Sequence, residues 1–182
     1  MPTCIPSPVM PDLTPVLKKE SIDAQISAVA HKISRDYNPS ELILIGVLKG
    51  AFIFLADLIR QLTIPAKVDF VRIASYGAST SSSGKIRLTK EIEIDVAGKE
   101  VLIVEDIVDT GLSLVYLIDY LTALGAKSVK VCTMIDKRER RQATVDVAYA
   151  CHVVDEGFLV GYGLDFNEEY RGLPEIYHLN PN

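Results

Sequence analysis

Three carboxylates, Glu105, Asp106 and Asp109, stand within five positions of one another in the stretch VLIVEDIVDTGLSL, Val101 to Leu114. Carboxylate oxygens accept hydrogen bonds from sugar hydroxyls and are hard donors that bind Mg²⁺. The residues that follow, Asp109-Thr110-Gly111-Leu112-Ser113, favour the opposite charge. They form the turn into a helix, where the first N–H groups lack partners and the helix dipole attracts an anion. Gly111 lets the backbone approach closely, and the Thr110 and Ser113 hydroxyls add donors, so the turn suits a phosphate monoester. Glu105 and Asp106 would repel a bare phosphate. The pattern therefore asks for a ligand with phosphate at one end and hydroxyls or a metal at the other, such as a sugar phosphate. An acidic strand end before a helix start is also common in α/β proteins. Spacing alone leaves open an acidic pocket of the response-regulator kind or a plain nucleotide fold.

The elements around this stretch alternate. Ser21 could cap a helix whose Ile22, Ile26, Val29, Ala30 and Ile33 share one face. ELILIGV (41–47) is a continuous apolar run, as in a strand covered on both faces. A helical stretch follows from Gly50, then a strand over Lys67–Ser75, and a polar Ser/Thr/Gly stretch, YGASTSSSGK (76–85), that reads as a mobile loop. After Gly98 come the Val101–Val104 strand, a helix over 112–124 ended by Gly125, and a strand over 128–135. Shorter strand-like pieces, VDVAYACHVV and FLVGYG, close the chain. This order predicts a parallel α/β sheet with right-handed crossovers. The carboxylates then lie at the carboxyl end of a central strand, where open α/β sheets bind ligands.

The bulk numbers agree with one globular domain of 182 residues, 48% hydrophobic, since domains run to roughly 100–200 residues. A net charge of −5 argues against a sequence-independent nucleic-acid binder. No apolar stretch reaches the ~18 residues of a membrane span. Cys4, Cys132 and Cys151 are odd in number and never in C-x-x-C spacing. They read as free thiols of a cytoplasmic protein rather than a disulfide framework or zinc site. Residues 1–15 hold five of the nine prolines and have no apolar core of a signal peptide. They are expected to be a flexible arm ahead of a single domain over 16–182.

VLIVEDIVDTGLSL resembles the phosphoribosyl-pyrophosphate signature of type I phosphoribosyltransferases, and its EDIVDTG form is similar to that of the hypoxanthine-guanine (6-oxopurine) branch. Adenine and orotate enzymes usually lack the second aspartate, here Asp109. GVLKGAFIF, SYGASTSSSG and FLVGYGLDFNEEYRGLP resemble the branch's first loop, flexible loop and carboxyl-terminal purine segment, in the same order. The resemblance covers about residues 15 to 180. It implies a type I phosphoribosyltransferase fold: a central, mainly parallel sheet flanked by helices, with a small hood over the site formed by the N-terminal and C-terminal segments.

The implied reaction joins hypoxanthine or guanine to C1 of 5-phosphoribosyl-1-pyrophosphate, giving IMP or GMP and pyrophosphate through an oxocarbenium-like transition state. By the same resemblance, Asp109, Thr110, Gly111, Leu112 and Ser113 hold the 5-phosphate, Leu112 through its backbone alone. Glu105 and Asp106 hold the ribose hydroxyls and Mg²⁺, Asp165 is a further Mg²⁺ ligand, and Asp109 is the general base at purine N7. Lys49 and Gly50 bind pyrophosphate, with an often cis Leu48–Lys49 peptide. Ser75 and Tyr76 close over the pyrophosphate, and Arg171 contacts it. Lys137 donates to O6, Phe158 stacks on the base, and Leu159 offers backbone groups to its 2-position edge.

Without the resemblance, Lys49 would read as a solvated lysine, Lys137 as part of the exposed cluster DKRERR, Phe158 as core and the Ser/Gly loop as a hairpin tip. VVDEGF departs from the family pattern: Gly157 stands where a charged residue precedes the Phe, and no proline is nearby. Another class of protein with this fold regulates by binding RNA; the negative charge, Asp109 and Asp165 argue against it. An orotate- or adenine-type transferase is disfavoured by Asp109 and Lys137. The family also implies a homo-oligomer, dimer or tetramer.

Overall fold

The computed structural model describes residues 12–76 and 85–180. Six strands make the main sheet: β2 (Leu42–Leu48), β3 (Ala66–Tyr76), β4 (Lys85–Lys90), β5 (Glu100–Val108), β6 (Ser128–Lys137) and β7 (Val147–Val154). Their spatial order is β4-β3-β2-β5-β6-β7. β3, β2, β5, β6 and β7 run parallel, and β4 pairs antiparallel with β3 at the edge. The helices are α1 (Lys19–Tyr37), α2 (Phe52–Gln61) and α3 (Leu112–Ala123). A second, antiparallel sheet joins β1 (Asp12–Leu17), β9 (Ile176–Asn180) and β8 (Leu159–Val160) in the order β1-β9-β8. The first and last parts of the chain thus meet in a small hood.

Alternation along the central strands builds two cores. Leu42, Leu44, Leu102 and Val104 pack with Ile22, Ile26, Ile33, Phe54 and Leu58 of α1 and α2. Ile43, Ile45, Val101 and Ile103 point the other way, onto Leu114, Leu117 and Leu121 of α3. A strand buried on both faces needs apolar residues at every position, hence the unbroken runs in β2 and β5.

Several local expectations shift. Asp12–Leu17 is a strand rather than arm, because it pairs with β9; residues 1–11 lie outside the described residues. Ser21 is not the cap: α1 starts at Lys19, and the Ser21 and Ile22 amides donate to the Lys18 carbonyl, both at 3.0 Å. Tyr76 and Lys85 belong to paired strands, and the loop between them, 77–84, lies outside the described residues, as does the expected lid. β5 runs on to Val108, so Glu105 and Asp106 continue the strand rather than follow it. FLVGYG contributes only the two residues of β8 before turning at Gly161. Among the described residues, no helix is long and apolar enough to cross a membrane.

Candidate active site

Two adjoining cavities open at the carboxyl ends of the parallel strands. One is lined by Glu105, Ile107, Asp109, Thr110, Gly111 and Ser113. Gly111 has φ +82° and caps α3, a left-handed conformation natural to glycine. The turn it makes sets the start of α3 against this cavity. The Leu112 amide meets Thr110 Oγ1 at 3.4 Å, and the Leu112 side chain points to solvent. All five residues expected to hold the 5-phosphate are therefore in one turn, and four of them line the cavity.

The second cavity gathers Asp106, Asp109, Lys137, Phe158, Leu159 and Asp165. Lys137 ends β6 with its side chain only 9% exposed, and its ammonium lies 3.3 Å from Glu139. Its neighbours Arg138 and Arg140 are largely exposed, so the basic cluster is split between solvent and site. Phe158 is not core but 50% exposed at the cavity, and its ring meets Phe166 edge-on with centroids 5.6 Å apart. Leu159 is buried, with its backbone in β8 opposite His178.

Asp109 borders both cavities. Among the described residues its buried Oδ1 has no hydrogen-bond partner, and Oδ2 has only a distant cation, Arg140 Nη1 at 3.7 Å. An unpaired buried carboxylate oxygen loses hydration without compensation, so it is poised for a donor brought by a ligand.

Glu105 is buried and Asp106 half-buried. Burial, and then the neighbouring Asp106 charge, pushes the Glu105 carboxyl well above its ordinary range. Burial also raises Asp106. The Asp106 amide donates to Glu105 Oε1 at 3.2 Å. Two desolvated carboxylates side by side suit a small hard cation that neutralises them. Among the described residues, no group of three or more His, Cys, Asp or Glu forms a metal cage.

Gly50 packs directly on the Asp106 carboxylate, where a Cβ would overlap it, and a Cβ at Gly163 would overlap the Gly50 carbonyl. The first loop, β5 and the carboxyl-terminal segment can stack this closely only with glycine at both points. The Leu48–Lys49 peptide preceding Gly50 is cis. Lys49 Nζ lies 2.9 Å from Glu168 Oε2. Arg171 Nη2 reaches Asp165 at 2.8 Å and Glu168 at 3.3 Å, while Nη1 donates to the Gly163 carbonyl at 2.7 Å. Lys49 and then Arg171 hold the exposed Glu168 carboxyl below its ordinary range. Ser75 and Tyr76 end β3, next to residues 77–84, which lie outside the described residues.

Sequence reasoning missed Arg141. Its Nε donates to the Asp109 carbonyl at 2.9 Å, and its Nη2 donates to the carbonyls of Val108 and Lys137, both at 3.0 Å, and to Asp136 at 2.5 Å. The next two amides, Gln142 and Ala143, donate to the Thr110 carbonyl at 2.9 and 3.1 Å. The segment after Lys137 thus buckles the Asp109–Ser113 turn to the end of β6. Glu168 and Phe166 were also missed; each gains its role only from a fold-level neighbour.

Residues 14–167 match the phosphoribosyl transferase domain family. The chain is 42% identical to the hypoxanthine-guanine phosphoribosyltransferase of Mycobacterium avium over 172 residues, covering 91% of this chain and 85% of that protein. It is 43% identical to the enzyme of the same name from Aquifex aeolicus over 163 residues, covering 89% and 92%. The fold is similar to that of a hypoxanthine-guanine phosphoribosyltransferase from Bacillus anthracis, with TM-score 0.87 and 36% identity over 94% of this chain and 100% of that one.

Proposed function

The chain belongs to the phosphoribosyl transferase family, and from that premise we propose that it salvages purines by joining hypoxanthine or guanine to the phosphoribosyl group of phosphoribosyl pyrophosphate. The observation that carries the reading is Asp109, whose unpaired buried oxygen borders both the phosphate turn and the cavity of Lys137 and Phe158. A nucleotide made of a base, a ribose and a 5-phosphate spans the same two cavities.

In this reading the turn from Asp109 to Ser113 holds the 5-phosphate, and Glu105 and Asp106 accept the ribose hydroxyls. Phe158 stacks on the base, Lys137 donates to its O6, and the Leu159 backbone faces its 2-position. N9 of the base attacks C1 as the bond from C1 to the pyrophosphate oxygen breaks. Asp109 accepts the N7 proton as the base loses electron density to the new bond. Lys49, Gly50 and Arg171 bind the departing pyrophosphate, and Ser75 and Tyr76 stand at the edge from which the loop would close. Glu105, Asp106 and Asp165 would hold Mg²⁺, which when bound offsets the negative charge gathered on the phosphates. Stabilising charge where it develops is the main source of rate in such a site.

The same reading carries a cytoplasmic enzyme that assembles as a homo-oligomer. RNA regulation is not favoured, because the net charge is −5 and the acidic site is complete. The test is an assay with hypoxanthine or guanine, phosphoribosyl pyrophosphate and Mg²⁺. Formation of IMP or GMP is expected; no nucleotide from correctly folded protein would overturn the reading.

A further inference from the structure

We propose that Glu168 is a resident counter-anion of the pyrophosphate site, a carboxylate that occupies Lys49 and Arg171 and must be displaced before a diphosphate can bind. The inference rests on the reading that these two cations hold pyrophosphate. It adds a residue that competes with the ligand instead of contacting it.

The geometry points one carboxylate at both cations. Glu168 Oε2 lies 2.9 Å from Lys49 Nζ and 3.3 Å from Arg171 Nη2. Lys49 comes from the first loop, 119 positions away, so the contact is made by the fold and not by local sequence. The loop leaves Glu168 little freedom of direction. Asn167 and Glu168 have φ of +52° and +65°, conformations that side-chain-bearing residues adopt infrequently. The Glu168 amide donates to Asp165 Oδ2 at 2.9 Å, and Phe166 and Glu169 bridge across the turn. Unusual backbone of this kind persists where surrounding structure imposes it, and it clusters at ligand clamps.

The pairs are also of the right strength. The Lys49 and Glu168 side chains are 46% and 63% exposed. Ion pairs in such positions are weak. A bridging carboxylate there keeps two like charges tolerable near each other, yet yields to a ligand carrying several negative charges. On product departure it re-forms its pairs and competes with rebinding.

The test measures the affinity of magnesium pyrophosphate for the full-length protein by calorimetry, with dissociation rates from stopped flow. Glu168→Gln is expected to bind roughly three- to tenfold more tightly, mostly through slower dissociation, since affinity changes at one site fall mainly on the off-rate. Glu169→Gln removes a neighbouring charge that forms no ion pair among the described residues, and its affinity should stay within twofold of wild type. Lys49→Ala should weaken binding. If Glu168→Gln binds no more tightly than wild type while Lys49→Ala weakens binding, Glu168 is not a competitor. Equal tightening by Glu169→Gln reduces the effect to bulk charge and also overturns the proposal. If Lys49→Ala and Arg171→Lys leave pyrophosphate affinity unchanged, the assignment of those cations fails, and the proposal falls with it.

Discussion

The Arg141 guanidinium donates to the main-chain carbonyl of Asp109 at 2.9 Å, across 32 positions of sequence, while also gripping the Lys137 carbonyl at 3.0 Å. One side chain thereby sets the distance between the residue that would take the base's proton and the residue that would read its oxygen. Arg141→Ala removes four donor contacts and, among the described residues, leaves the nearly buried Asp136 side chain with the 3.4 Å contact of Arg138. Breaking a buried charge pair on one side costs about 3–5 kcal/mol; partial exposure of Arg141 and the Arg138 contact bring the expected loss to about 2–4 kcal/mol in urea denaturation. Arg141→Lys should recover little of it, because an ammonium cannot reproduce the planar fork. Both variants should lose at least tenfold in kcat/KM, as misplaced groups lose proximity. Wild-type stability and turnover in Arg141→Ala would show that the buckle holds nothing.

Asp109→Asn keeps the shape of the turn and removes the acceptor for the N7 proton. Positioned acid–base groups contribute about 10²–10⁴-fold. The single-turnover rate should drop by at least tenfold, while phosphoribosyl pyrophosphate binds with little change. Single-turnover rates are the fair measure, because product release can mask a slowed chemical step under multiple turnover. An unchanged rate with chemistry limiting removes Asp109 from that role.

Burial and its neighbour raise the Glu105 carboxyl well above its ordinary 4.5, so the folded protein carries it uncharged more readily than the unfolded chain does. The sign follows from linkage: this contribution to stability is fully present below the unfolded value and is lost as pH rises toward the raised folded value. Without divalent cation, wild-type Tm should therefore fall relative to Glu105→Gln as pH climbs from about 4.5 toward neutrality. Mg²⁺ favours the ionised pair, so it should restore wild-type Tm above that window and do little for the variant. Parallel Tm curves for the two proteins, with and without Mg²⁺, would exclude a titrating, metal-competent pair.

How much of this was legible depends on which residues are asked. β2 and β5 announced themselves because both of their faces are buried, which forbids polar residues along the run. The turn from Asp109 to Ser113 was legible because a short local pattern builds it. β4 was not: KIRLTK is a charged edge strand in which Leu88 is buried, and the Ser/Thr/Gly run before it hid its start. Phe158 could not be told from core by sequence, because exposure is decided by the hood that β1 and β9 close around β8. Arg141 and Glu168 look like members of ordinary charge clusters. Asp109 lies 32 positions from Arg141 and Lys49 119 from Glu168, and only the folded chain brings these pairs together.

Lys137 separates a site that reads oxygen from a merely basic surface. Its side chain is 9% exposed, unlike the arginines beside it, and it shares a cavity with Phe158 and Asp109. An ammonium has three donors and no acceptor. Hypoxanthine and guanine present an acceptor at position 6, whereas adenine presents an amino group, so adenine would set N–H against N–H. A buried mismatch of this kind costs roughly 1–3 kcal/mol or more, and sites built on such polar pairs reject the wrong partner by orders of magnitude. Hypoxanthine and guanine should be used, and adenine nearly ignored. Lys137→Gln keeps a donor and adds an acceptor through an amide that can turn over. The ratio of kcat/KM for hypoxanthine over adenine should therefore shrink by tenfold or more while hypoxanthine turnover falls. If Lys137→Gln keeps both the hypoxanthine rate and the rejection of adenine, position 6 is read by another group, and Lys137 serves only its ion pair with Glu139.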